Sequence, residues 1–429
     1  MFKILFVLLF LFAPVFSSID TIAVDVGISV FKTMPLGFVP FEEPKGVKID
    51  WDGNSPAEIL ESDANLSGRF EVIAAEKFDL VKFSKARVKF YVTGKTEVLP
   101  DGLLKISCYL YAAKTKQLVF GESYKIAVHD VREAIHLFFD KIVQELWGER
   151  GVASTKITWV RKIDGVKQVI YADYDGYRRR QVTHDSAISM MPVWTLDNSE
   201  LIFVSFRSGK PQLYKKNIFS KKEQRLYPNH AQSFSPAVNP KNGDILFSVI
   251  RDGKTDLFLG NKNGKDSKRI SYLKSSQTSP AWSPFGTSIL FTSDRGGGPQ
   301  IYMMNKDGSD VERITFMGRY NEKASWSPTG DRIVYTSMDN GKMNIYTCAF
   351  DGTDIIQLTS DAGNNEHPTW SPDGNLIAFS SNRTGTYQIY IMRKDGSNVT
   401  QITKHGENTS PTWSWFDNSN SQNQKEGQK

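Results

Sequence analysis

Trp282-Ser283-Pro284, Trp326-Ser327-Pro328 and Trp370-Ser371-Pro372 stand 44 residues apart, and that spacing decides the fold. Stepping back by the same period gives Val238 and Trp194, and 43 residues forward lies Trp413. A proline column runs just ahead at Pro192, Pro236, Pro280, Ala324, Pro368 and Pro411. Three more columns keep the same ruler. One reads Tyr214, Phe258, Tyr302, Tyr346, Tyr390; another Gly176, Ser220, Gly264, Gly308, Gly352, Gly396; the third Thr183, Tyr227, Ser271, Thr315, Thr359, Thr403. Independent columns sharing one period mark a structural repeat.

The unit around Trp370 shows what repeats. Pro368 to Ser371 reads as a strand, and Ser371-Pro372-Asp373-Gly374 supplies the proline and glycine of a type I turn. Ile377 to Ser380, Gln388 to Met392 and Val399 to Thr403 follow as strands, the last two joined by a hairpin at Lys394-Asp395-Gly396. Four strands per 44 residues is the length of a propeller blade. First strands precede residues 194, 238, 282, 326, 370 and 413, and the remaining three strands begin near Ile157, Leu201, Ile245, Ile289, Ile333 and Ile377. The first set lacks its inner strand and the last inner strand lacks its set. Pairing them closes a six-bladed β-propeller over 151–413, with the Trp column expected between blades near the axis.

Residues 20–150 carry no trace of the period and read as a small α/β domain. Ile22 to Val26 and Leu36 to Phe41 have strand character, and Ser55-Pro56-Ala57-Glu58 opens a helix to about Leu66 through a capping box. Val88 to Val98, Leu103 to Ala112 and Gln117 to Ala127 form a meander. Asp130 with Glu133 starts a second helix, stopped by Gly148, and Gly148 to Thr155 is read as a linker. Ahead of all this, Lys3 and the apolar run Ile4 to Phe12, ending in small residues, describe a secretory signal over 1–18, too short to span a bilayer. The polar residues 414–429 are expected to form a disordered tail.

Composition narrows function. The 429 residues carry 53 Lys and Arg against 47 Asp and Glu, a thin excess that excludes a nucleic-acid funnel. The two cysteines, Cys108 and Cys348, fall in different domains and are expected as buried free thiols. No Gly-x-Ser-x-Gly elbow exists for a peptidase partner domain, and none of the six histidines has a second ligand at metal-site spacing. His136 is expected to be structural, Asp173-Tyr174-Asp175-Gly176 reads as a turn, and no catalytic, metal or cofactor centre is expected. What varies between repeats is the loop face: His184 to Met191, Tyr227 to Ser235, Tyr272 to Ser279, Phe316 to Lys323, Asp361 to His367 and Lys404 to Ser410. Variable loops on a rigid scaffold are where binding residues usually sit.

An export signal, then a domain containing Pro35-Leu36-Gly37-Phe38-Val39-Pro40-Phe41, then Tyr174-Asp175-Gly176-Tyr177 and six repeats of the Trp-Ser-Pro-Asp-Gly type resemble the TolB family, whose propellers are built of WD40-like (PD40) repeats. The resemblance implies a monomeric, non-enzymatic periplasmic adaptor without cofactor, direct membrane insertion or nucleic-acid partner. In that family the propeller loop face binds the peptidoglycan-associated lipoprotein Pal, and the mature N-terminus binds TolA, linking the envelope layers during outer-membrane constriction. Carried over, the TolA-facing segment is Ile19, Asp20, Thr21, Ile22, Ala23, Val24 and Asp25. The Pal-facing threonine ahead of a first-strand proline matches Thr278. The family's histidine in the preceding loop is nearest to His230, which stands two places out of register. By loop position the set extends to Gln232, Ser235, Ser279, Arg319, Glu366 and His367. Val238-Asn239-Pro240 departs from the family's aromatic motif. Two other readings stay open: a propeller sensing a sugar or metal in its channel, which the inward Pro, Val, Ala and Trp disfavour, and an exported regulatory subunit of a hydrolase complex.

Overall fold

The computed structural model describes residues 33–44, 49, 51, 53–272 and 275–417. The signal segment, the strand expected at Ile22 to Val26 and the whole segment Ile19 to Asp25 lie outside these residues.

Closure comes first, because it fixes everything else. Glu407–Trp413 pairs antiparallel with Lys156–Ile163, placing Trp413 opposite Ile157 and Thr412 opposite Thr158. The chain's last strand is thus the innermost strand of blade 1, whose other strands are Lys156–Ile163, Val166–Asp173 and Arg180–Gln181. Blades 2 to 6 follow as contiguous four-stranded sheets beginning at Ser189, Ser233, Gln277, Asn321 and Asn365. Blade 1 is sealed from both ends, so no ladder edge is left open between blades.

The columns now have physical reasons. The threonine or serine of the outermost column accepts a third-strand backbone N–H: Ile389 N donates to Thr403 Oγ1 at 2.9 Å, and Thr403 passes its own hydrogen to Gln388 Oε1 at 2.7 Å. Thr183, Ser271, Thr315 and Thr359 accept in the same way in their blades. In blade 2 this position is Tyr227, and Ser233 takes over the N–H of Leu213 at 3.3 Å. Tyr227 instead stacks on Phe247 with ring centroids 4.4 Å apart. The glycine column serves close approach: at Gly308, with φ of 93°, an added Cβ would lie 2.0 Å from the Ile270 carbonyl oxygen of the preceding blade. Trp194, Trp282, Trp370 and Trp413 are buried, and Trp326 is partly buried, as expected of a core column.

The N-terminal domain has a mixed five-stranded sheet in the order β2-β1-β3-β4-β5. Its strands are β1 (Met34–Phe38), β2 (Phe70–Ala74), β3 (Phe90–Val98), β4 (Leu104–Ala112) and β5 (Leu118–Ile126). β1 runs parallel to β2 and β3, and the rest is the antiparallel meander. Helix α1 (Pro56–Ser67) has the capping box read from Ser55 and Glu58 and ends at Gly68 with φ of 61°. Helix α3 (Val131–Trp147) ends at Gly148 as read, although Asp130 makes no side-chain cap bond. Strand β2 and the short helix α2 (Leu80–Lys85) were not legible in the pattern.

Two boundaries move. The expected linker is packed: Val152 and Ala153 are buried, and the Asp140 carboxylate accepts from Ala153 N at 2.7 Å and Ser154 N at 3.0 Å. The expected polar tail also starts later than residue 414. Ser414 is buried, Trp415 N donates to Asn198 Oδ1 at 3.0 Å, and Phe416 lies under the Arg150 guanidinium. Both cysteines are free and buried, and burial pushes the Cys348 thiol up to about 12.

Candidate functional site

The two faces of the disc have different fates. The turn face of blades 1 and 6 is covered by the N-terminal domain. Apolar residues of both domains form one continuous cluster, with Ile59, Leu60, Phe138 and Ile142 joining Ile157, Trp159, Leu376 and Trp413. Polar contacts ring it: Asn398 Nδ2 donates to the Asn65 carbonyl at 2.8 Å, Arg393 to the Gly68 carbonyl, and Arg69 reaches Asp373 at 3.4 Å.

At the centre of this seam lies a buried network. His136 Nδ1 donates to Asp63 Oδ2 at 2.8 Å, and Tyr174 Oη donates to Asp63 Oδ1 at 2.9 Å. Arg132 donates to Asp175, while Lys156 and Arg178 hold Asp173 at 2.8 and 2.7 Å. The turn read from Asp173-Tyr174-Asp175-Gly176 is therefore also the propeller's half of an interdomain lock. Burial opposes the charge on Asp173, but Lys156 and Arg178 outweigh it and hold the carboxyl down to about 2. On His136 burial likewise opposes protonation, and Asp63 outweighs it, raising the imidazole above its ordinary value. Oxygen and nitrogen atoms of Asp63, His136 and Asp175 lie within 4.8 Å of one another. The Arg132 guanidinium on Asp175 already supplies the positive charge there, so the chemistry is that of an ion-pair lock.

Among the described residues nothing covers the loop face, and the central channel opens onto it as a cavity of about 480 Å³. Each innermost strand carries a bulge just before its Trp column, where the ladder register shifts. The first bulge residue has positive φ in every blade: Met191 54°, Ser235 50°, Ser279 51°, Lys323 55°, His367 55° and Ser410 56°. A non-glycine residue in this region costs on the order of 1–3 kcal/mol. The neighbouring blades help to hold it: His367 N donates to Thr336 Oγ1 at 3.1 Å, and Ser410 N to Ser380 Oγ at 2.8 Å. The proline that follows sits where a missing N–H is tolerated. The bulge brings all six residues to the cavity wall.

Of the Pal-facing set, Ser235, Ser279, Glu366 and His367 line this one cavity. Thr278 is partly buried beside it, paired in the ladder with Thr292. His230 stands apart: its Nε2 pairs with Ser267 Oγ at 2.8 Å, and its ring packs edge-on against Phe258 at 4.7 Å, wedged at blade 3. Gln232 is partly buried and Arg319 exposed, both outside the cavity lining. Burial pushes the His367 imidazole down to about 3, helped by Lys323 and then Lys167.

Several functional candidates were missed by sequence reading. Lys323, Lys167, Tyr387 and Glu407 also line the cavity. The signal for Lys323 was the column just ahead of the prolines, whose inward aim depends on a bulge that periodicity does not reveal. Outside the cavity, Tyr272 and Phe316 are 73% and 71% exposed, each with an arginine over its ring, Arg269 at 4.8 Å and Arg313 at 4.9 Å. They occupy equivalent positions 44 residues apart, on loops leading out of adjacent blades, where the other repeats carry His184, Pro228, Ser360 and Lys404. Among the described residues no helix is long and apolar enough to cross a membrane.

Comparison with known proteins agrees with the architecture. The family model described as the TolB beta propeller domain matches residues 143–345 and 336–420. A Tol-Pal system protein TolB of Methylobacillus flagellatus is 30% identical over 197 residues, 44% of this chain and 45% of that protein. One from Anaeromyxobacter sp. is 29% identical over 236 residues, 52% of this chain and 53% of that protein. The chain spans about half the length of the curated relatives it matches. The crystal structure of TolB from Acinetobacter baumannii superposes with a TM-score of 0.76 at 23% identity, covering 90% of this chain and 98% of that one, so both domains share its fold. With its repeats matched over most of the ring and beyond half of its length, the chain belongs to the TolB beta-propeller domain family.

Proposed function

We propose that the protein is a non-enzymatic periplasmic adaptor of a Tol-Pal system. Its loop face binds the outer-membrane lipoprotein Pal, and the segment Ile19 to Asp25 binds TolA. In this role it supports outer-membrane integrity and invagination during cell division. The names of the curated relatives support the system. The observation that carries the loop-face reading is the asymmetry of the disc: one face is partly covered by the chain's own domain, the other is open and presents Tyr272 and Phe316. Exposed aromatics flanked by arginine are the residue types that dominate protein interfaces. Thr278, Ser279 and Arg319 belong to the same loops and supply polar contacts around them.

The test is capture of a lipidated outer-membrane protein from a detergent extract of the envelope. The intact protein should retain Pal, and a chain starting at residue 33 should retain Pal while losing TolA. Retention of TolA by the shortened chain would remove the N-terminal segment from the proposal, and failure of both chains to retain Pal would remove the loop face.

A further inference from the structure

The channel cavity holds charges that the adaptor reading does not use. Lys323 comes from the bulge of blade 5, His367 from that of blade 6, and Lys167 from blade 1. Among the described residues neither lysine side chain has a hydrogen bond or ion pair with the protein. His367 Nδ1 is buried without a hydrogen-bond partner. The acids on the same wall are engaged: Glu366 accepts from the Tyr387 hydroxyl and stays 3.9 Å from His367 Nδ1, and Glu407 faces Lys162 at 3.7 Å. Glu322, beside Lys323 in sequence, accepts from the Tyr320 hydroxyl at 3.0 Å. Two lysine side chains and a ring nitrogen without a hydrogen bond therefore share a confined space whose two carboxylates, Glu366 and Glu407, are engaged by Tyr387 and Lys162, an arrangement that leaves positive charge for an anion.

We propose that the loop-face end of the channel is an anion site that takes one carboxylate group, with Lys323 and Lys167 supplying charge and His367 Nδ1 a hydrogen bond. The cavity of about 480 Å³ holds a carboxylate with several waters, a water taking about 30 Å³. Pro236, Pro280, Pro368 and Pro411, with Ala324 in blade 5, follow the bulge residues on the cavity wall. The carboxylate belongs either to a small free acid or to an acidic side chain of a docked protein. The suppressed protonation of His367 fits this reading, because an anion between it and the lysines removes the repulsion and lets the ring take up a proton.

The experiment follows the histidine ring resonances of the purified protein by NMR, with His367 assigned through His367→Gln. The probes are sodium acetate, the peptide acetyl-Gly-Glu-Gly-amide, and its Gln counterpart. A saturating shift of His367 with acetate places a free acid in the site; a shift with the Glu peptide alone places a protein side chain there. In either case Lys323→Met should weaken binding about tenfold or more, the scale of one charge-assisted hydrogen bond. Lys167→Met should also weaken it. No shift of His367 with acetate or Glu peptide, an equal shift with the Gln peptide, or unchanged affinity in both lysine variants would overturn the site.

Discussion

The two faces of the disc are built from the same repeat yet do opposite things. On the turn face, short hairpins and prolines give a regular surface, and the chain uses part of it to seat its own second domain through Asp173, Tyr174 and Asp175. On the loop face the strands arrive through bulges, side chains turn into the channel, and the aromatics Tyr272 and Phe316 stay largely exposed beneath their arginines. Under the proposed function the repeat separates stability from recognition by face: charge is buried and paired at the seam, but lines an open cavity at the other end. Substitutions should therefore sort by face into those that unfold and those that unbind.

The largest effect is expected at the seam. Asp175→Ala leaves the always-charged, buried Arg132 short of its close partner, and breaking a buried pair costs about 3–5 kcal/mol. Urea unfolding should show a loss of this size; a loss below 1 kcal/mol would mean the seam is not a lock. Acid should act on the same seam. Asp173 is held down to about 2 when folded against about 3.9 unfolded, so its contribution is complete above pH ~4 and is lost as the pH falls towards 2. The window amounts to about 2.6 kcal/mol by that difference, and it should vanish from the pH dependence of Asp173→Asn.

On the loop face the pattern should invert. The double variant Tyr272→Ala and Phe316→Ala removes side chains that are mostly solvent-exposed, so stability should stay within about 0.5 kcal/mol. Capture of the outer-membrane partner should fall at least about tenfold, since interface aromatics are typical hot spots. Thr278→Arg, at the partly buried rim of the cavity, should weaken capture by a smaller factor, read by the same assay; unchanged capture would take that residue out of the interface.

How much of this was written in the sequence follows from what periodicity can encode. The 44-residue columns predict blade number, strand order and closure through Trp413, and the Ser55-Glu58 and Gly148 signals place both main helices, because each rests on local chemistry. Strand β2 and helix α2 are short, and nothing in Phe70 to Lys85 repeats or caps strongly enough to announce them. The cavity residues were half legible. Ser235, Ser279 and His367 emerged from loop position, but Lys323 was passed over because its inward aim depends on a positive φ that lysine rarely adopts. His230 entered by residue type, and the structure gives it a packing role: Tyr227 stacks on Phe247 and His230 packs edge-on against the same ring. Asp173 and Asp175 looked like an ordinary turn because their partners, Lys156, Arg132 and Arg178, come together only in the folded seam.

The comparison of faces comes to one measurement. The Tyr272→Ala, Phe316→Ala variant and a turn-face control, Phe219→Ala with Phe350→Ala, remove exposed aromatics from opposite sides of the disc. Binding of each to the purified outer-membrane lipoprotein, followed by calorimetry, should show the loop-face variant weakened at least about tenfold and the control unchanged. Equal binding by the loop-face variant, with loss in the control, would place recognition on the wrong face and contradict the account.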